Sequence, residues 1–334
     1  MLSGSSFDHT RRNRVLIALV IALTAATLHY FRATQNLGWS DFTPLWQAAR
    51  LMMSGENPYQ LIGPGKQYHS PYPMYYPATT FVTVAPFAAI SSFQWAATAF
   101  VFVSTLLLAY GCTASGWHLL PIFPSIAFLT SATLGQWSIL MTAMVFIPLL
   151  GFLAVAKPQS ALPVLLSSKR RLTWVSAIGG GLIVLIVSVV MMPAWPLEWW
   201  TMARSSPDFV PPVLRFMGFA IPLVLLRWRR PESWLVLVSA CIPQTWPPYN
   251  GLILMTVAST YRQASLLSLT SSASWILFAW FADGLDVQRE RSMMAAVLNI
   301  GGYLPAVLMI LRRPNTGPGL PAITWLFRRK EMET

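Results

Sequence analysis

The chain has 334 residues, of which 55% are apolar and only 10% charged, with a mean hydropathy of +0.53. So little polar surface cannot solvate a globule of this length, which excludes a soluble fold and implies an integral membrane protein. A net charge of +12 would suggest nucleic acid in a soluble chain, but here the basic residues cluster between apolar segments: Arg11-Arg12, Lys169-Arg170-Arg171, Arg227 with Arg229-Arg230, Arg312-Arg313 and Arg328-Arg329-Lys330.

Such clusters are what the positive-inside rule places in cytoplasmic loops, so membrane lipids and no nucleic acid are the expected partners. The expected fold class is an all-α polytopic membrane protein, a single membrane domain over 1–334 in the cytoplasmic (inner) membrane. Cys112 and Cys241 lie in apolar surroundings and share no short spacing, so neither a disulfide nor a metal site is expected.

In chain order, residues 1–14 read as a cytoplasmic amino terminus. The run Val15 to Phe31 has no convincing small-residue cleavage site and reads as a retained first helix. It delivers 32–76 to the outer face as the first extracytoplasmic loop. Within that loop Phe42, Leu45, Trp46, Ala49, Met52 and Met53 recur at helical spacing, opposite Thr43, Gln47, Arg50 and Ser54. This predicts an amphipathic helix in the membrane interface, capped by Ser40 or Asp41 and ended at Gly55.

Apolar segments then fill 77–312, starting at about 77–91, 93–112, 118–133, 135–156 and 158–168. Several are shorter than the roughly 20 residues of a full crossing, so broken or re-entrant helices are expected around Pro121, Pro124, Pro148, Pro158 and Pro163. The whole is a bundle of about 10–12 transmembrane or re-entrant helices, followed by a cytoplasmic tail over 313–334. Gly179-Gly180-Gly181 lies in an apolar helix and suits close helix packing. Trp195, Trp199 and Trp200 in a second outer loop suit an aromatic belt.

Only 11 residues are acidic, and Asp41 stands at a helix start near the outer membrane boundary. A carboxylate there can deprotonate an acceptor hydroxyl, or can cap the helix; the residues alone leave both open. Lys157, at an outer helix end by the parity of crossings, is either a cation for a phosphate or a snorkelling lysine. Gln136 and Gln159 can donate to sugar or phosphate, or satisfy helix packing. Arg50 is on the polar face of the loop helix. Tyr59, His69 and Tyr76 belong to an aromatic cluster that can stack on sugars or anchor in the interface. Trp246 and Tyr249 lie in a second outer stretch, Gln244 to Asn250.

The pattern Asp41, Ala48-Ala49-Arg50, Gly55-Glu56-Asn57-Pro58-Tyr59 resembles the first periplasmic loop of glycosyltransferase family 87. Tyr75-Tyr76-Pro77, Gly135-Gln136-Trp137 and Lys157-Pro158-Gln159 resemble later motifs of that family in the same order. The resemblance implies a C-type glycosyltransferase-like bundle. It implies transfer of a hexose, mannose foremost, from a polyprenyl-phosphate-linked donor to a glycolipid or glycan acceptor on the extracytoplasmic face, with inversion.

In that reading Asp41 is the base, and Lys157, Gln159, Gln136, Arg50 and Tyr59 hold donor phosphate or sugar. Tyr76, Trp246, Tyr249 and His69 are acceptor or second-loop candidates. No cofactor and no divalent metal is expected, the lipid-linked sugar phosphate being a co-substrate. One departure stands out: 135–156 is long enough for about one crossing, which would put Gln136 and Lys157 on opposite faces. A transporter or flippase of a lipid-linked intermediate, or a non-catalytic membrane scaffold, are the alternative functions.

Overall fold

The first apolar run forms α1 (Gly4–Thr34), and in the computed structural model it pairs antiparallel with α5 (Phe93–Ser115). Arg14 lies over the Tyr110 ring at 4.8 Å, and Tyr30 sits 4.7 Å from Trp95. The bundle therefore has a basic end, near Arg14 and Tyr110, and an opposite end near Tyr30, Trp95 and Asp41. The structure describes residues 4–35, 40–205, 210–243, 248–282, 284 and 287–317.

Between α1 and α5 the chain stays at the Asp41 end. α2 (Thr43–Met53) buries Leu45, Ala48, Ala49, Leu51 and Met52 against α4 (Ala78–Ala88), with α3 (Pro58–Leu61) and a two-residue parallel pairing of Ile62–Gly63 with Tyr68–His69 between them. The expected cap is not formed: Phe42 is the N-cap with no side-chain bond, and Thr43 N donates instead to the Ser40 carbonyl at 3.1 Å. Asp41 is thereby left out of helix capping.

The segment 77–91 is not a crossing. Both its flanks touch the first loop: Tyr59 Oη donates to the Tyr76 carbonyl at 2.9 Å, and Trp46 Nε1 to the Ile90 carbonyl at 3.1 Å. Pro77 precedes the helix and Pro86 lies within its last turn, so its sequence limits it at both ends.

From the basic end the chain returns through the 3-10 turns Trp117–Ile122, which hold Pro121, and α6 (Ile126–Leu134). The next stretch, 135–156, makes two short passes where the sequence suggests about one. α7 (Ser138–Ala143) starts with Trp137 against Phe100, 5.5 Å between rings, and leads to Phe146 beside Gly111 near the basic end of α5. The 3-10 turns Pro148–Val155 then climb back until the Val155 and Ala156 carbonyls accept the Thr79 and Thr80 hydroxyls, each at 2.6 Å. Gln136 and Lys157 are thus at the same end, and the anticipated mismatch disappears. Pro148 and Pro158 mark the two bends, as expected of proline at the start of a helical segment.

α8 (Pro158–Ser167) descends to Arg170, whose Nη1 donates to the Phe146 carbonyl at 2.6 Å. α9 (Arg171–Val175) continues through a π turn at Ser176–Gly180 into α10 (Gly181–Met191), and α11 (Trp195–Arg204) follows at the Asp41 end. There Glu198 accepts from Asn57 Nδ2, and Trp199 Nε1 donates to the Tyr75 carbonyl at 2.8 Å. Within the π turn, a Cβ at Gly180 would meet Phe152 at 2.7 Å, so Gly180 permits close approach of the Pro148–Val155 segment.

The remaining passes are the 3-10 turns Gly218–Arg227, α12 (Pro231–Cys241), the 3-10 turns Pro248–Val257 and α13 (Tyr261–Phe281). They end in α14 (Val287–Leu298), a π turn at Asn299–Tyr303 and α15 (Leu304–Leu311). Arg227 donates to the Leu311 carbonyl at 2.9 Å, and Arg313 to the Val257 carbonyl at 2.6 Å and to Gln263 Oε1 at 2.9 Å. The basic clusters of the described chain therefore gather at one end.

Among the described residues, five stretches are long and apolar enough to cross a membrane: Thr10–Thr34, Phe93–Ser115, Arg171–Met191, Tyr261–Phe281 and Ser292–Leu311. Ile183 and Val190 are among the many exposed apolar side chains of α10, which suits a lipid-facing helix. The protein is a multi-pass, almost entirely helical membrane bundle.

Candidate functional site

Asp41 is placed by the carboxyl end of α6, whose last carbonyls have no partner inside their own helix. His29 Nδ1 donates to Ala132 O at 3.0 Å, Arg32 Nη1 to Thr133 O at 3.0 Å, and Ser40 Oγ to Leu134 O at 3.1 Å. The Asp41 amide donates to the same Leu134 carbonyl at 3.0 Å. Four groups from the end of α1 and the start of the loop thus complete α6 and fix the Asp41 backbone.

Gly135 closes this corner in a left-handed turn at φ 66°, and a Cβ there would lie 3.1 Å from Phe42 Cβ and 3.3 Å from Ser40 Oγ. Both its conformation and its surroundings favour glycine. Next to Asp41 in the chain, Phe42 stacks on Phe100 at 4.5 Å, itself 5.5 Å from Trp137, so the residue after Asp41 is anchored in an aromatic stack.

Lys157 comes from the other side. It is the N-cap of α8; its carbonyl accepts from Ser160 and Ala161 amides at 3.1 Å each, and its Nζ lies 5.9 Å from the Tyr76 ring centre. Thr79 and Thr80, just after Tyr76-Pro77, bind the two carbonyls just before Lys157. The tyrosine motif and the lysine motif therefore meet through one strip of backbone.

Asp41 lies within electrostatic reach of Arg32, Lys157 and Tyr76, and Tyr76 within reach of Tyr249. Burial pushes the Lys157 ammonium down to about 8, opposed by the attraction of Asp41. Burial pushes the Tyr76 phenol up, helped by the Asp41 charge and by Tyr249, so it remains a proton donor. A half-buried carboxylate, a lysine only 8% exposed and two phenols share one polar spot.

The other candidates separate. Tyr59 is buried, its ring 5.7 Å from Phe81 and its hydroxyl committed to the Tyr76 carbonyl, so it holds Tyr76 in place. Arg50 is exposed, 5.0 Å over Trp46 and 3.4 Å from the Ala88 carbonyl, at the end of α4 remote from Tyr76. His69 is exposed on the short strand pairing.

Gln136 is buried beside Gly135, and its backbone N–H donates to Ser131 O at 2.8 Å. Gln159 is exposed and lines a pocket with Tyr249. Trp246 lies outside the described residues. Sequence reasoning passed over His29 and Arg32 and gave Ser40 only as a helix cap; two polar residues three apart near the end of an apolar helix were the available signal. Neither a protein-family model, nor a curated protein, nor a solved structure matches the chain.

Proposed function

We propose that the chain is a membrane glycosyltransferase of the C type, taking a hexose from a polyprenyl-phosphate donor and passing it to a glycolipid or glycan hydroxyl. The observation that carries this reading is the meeting of Asp41, Lys157 and Tyr76 at the bundle end opposite the basic clusters. Under the positive-inside rule that end is extracytoplasmic. The motif resemblance in the first 160 or so residues points the same way, and so does a helical bundle whose apolar flanks can hold an isoprenoid tail.

In the reaction, the Asp41 carboxylate takes the proton of the acceptor hydroxyl as its oxygen attacks the anomeric carbon. The bond from that carbon to the phosphate oxygen breaks, and configuration inverts. The pair of electrons leaves on the lipid phosphate, whose added charge the Lys157 ammonium meets as a compact cation. Tyr76, held against Lys157, can donate to a sugar or phosphate oxygen.

The test is sugar transfer by purified protein in liposomes, from polyprenyl-phosphate hexoses to glycolipid acceptors. Wild-type activity that drops by about 10³-fold or more in Asp41→Asn, with the fold intact, is expected for loss of the base. Equal activity in both proteins removes Asp41 from catalysis. Inactivity with every donor turns the reading towards movement of a lipid-linked intermediate or a scaffold.

A further inference from the structure

Beside the charged cluster lies an uncharged pocket. Its polar wall is built from four separate segments: Thr142 on α7, Gln159 and Ser160 on α8, Ser239 on α12, and Tyr249 with Asn250 on the 3-10 turns Pro248–Val257. It is joined to the cluster in two ways. Ser160 and Gln159 belong to the first turn of α8, which Lys157 caps. Tyr249 is the residue within electrostatic reach of Tyr76.

Polar side chains from four elements meet on one void, with Gln159 exposed at its mouth, so a group that enters finds hydrogen-bond donors and acceptors on several sides. Gln159 and Ser160, at its more exposed side, make no side-chain hydrogen bond to another described residue and can turn to such a group.

The lining selects the visitor. Among the described residues it holds no Lys, Arg or His to take a phosphate and no Asp or Glu to take an amine. Hydroxyls and carboxamides both donate and accept, which matches an alcohol. Met141 and Ile253 supply an apolar side for C–H groups. The free volume is about 30 Å³, room for a water or two and so for one hydroxyl-bearing substituent rather than for a whole ring.

We infer that this pocket receives one neutral, hydroxyl-bearing arm of the transferred sugar while the reacting end lies at Asp41 and Lys157, and so decides which hexose is accepted. The inference rests on the glycosyltransferase reading and adds a specificity determinant to it.

The experiment measures binding of methyl hexopyranosides to the purified full chain in nanodiscs by saturation-transfer NMR. The parent sugar is compared with single deoxy analogues and with the uronate. One deoxy position is expected to weaken binding about tenfold, the size of one lost hydrogen bond, and the uronate to bind more weakly still. In Gln159→Leu and in Ser160→Ala the parent should fall to the level of that deoxy analogue, while the analogue itself changes little.

Two substitutions at the rim keep the result independent of any one variant's folding, which gel filtration checks. Deoxy analogues that all bind like the parent, a deoxy penalty unchanged in both variants, or no sugar binding at all would each overturn the inference and leave the pocket as a site for water. Sugar transfer without such discrimination sinks the pocket alone. Discriminating binding without transfer to any acceptor sinks the glycosyltransferase reading and leaves the pocket a sugar-reading site.

Discussion

Lys157 carries a specific pH signature. Its ammonium titrates near 8 because burial disfavours the charge, while Asp41 opposes that loss. Below about 8 the side chain is charged, as the proposed transfer requires for the leaving phosphate; above it the cation is lost. The rate of sugar transfer should therefore fall as pH rises through about 8, well below the range of an ordinary lysine. Lys157→Arg should move this limb beyond the alkaline range, and Lys157→Gln should abolish it while lowering the rate by about 10²–10³-fold at neutral pH. A pH–rate profile without a limb near 8 in the wild type would remove Lys157 from the chemistry. At this scale the sequence motifs marked Asp41, Tyr76 and Lys157, which the fold assembles. Arg50 and Tyr59 did not join them, since periodicity tells which face of a helix is polar but not what that face meets. Arg50 meets the end of α4, and the Tyr59 hydroxyl meets a backbone carbonyl.

Among the elements, the corner from α6 to α7 governs the position of Asp41. Gly135 takes a left-handed turn there and is crowded by Phe42, Ser40 and His29. Alanine at this position faces both the strain of that conformation and contacts that must shift, so Gly135→Ala should destabilise the protein by about 1–3 kcal/mol. Thermal unfolding in nanodiscs measures this, and an unchanged midpoint would show that the corner relaxes freely. The glycine was visible in the sequence as part of a motif, but its reason was not. His29, Arg32 and Ser40 bind the α6 carbonyls from about 100 residues away in sequence, a partnership that local spacing does not encode. α4 illustrates the converse: its apolar run reads as a membrane pass, whereas its bounding prolines and its bonds to the loop keep it at one end.

For the whole molecule, sequence and structure agree that the basic clusters of the described residues share one side, and they differ on how the chain reaches it. Counting apolar runs makes 77–91 a pass and 135–156 a single one; in the fold the first makes none and the second makes two, so the errors cancel and later segments keep their orientation. The hidden difference lies between them, and Ser91 reports it. Ser91 is exposed between α4 and α5, at the end of α5 that meets Tyr30, whereas counting runs would place it with the basic clusters. In a background where Cys112 and Cys241 are replaced by serine, single cysteines at Gln60, Ser91 and Lys169 can be treated in intact cells with a membrane-impermeant maleimide. In the orientation we propose, with the basic end in the cytoplasm, Gln60→Cys and Ser91→Cys should label from outside and Lys169→Cys only after permeabilisation. Labelling of Ser91→Cys together with Lys169→Cys would restore α4 as a crossing. It would also detach Tyr76 from Lys157, since the Thr79 and Thr80 bonds that join them require α4 to lie at the Asp41 end.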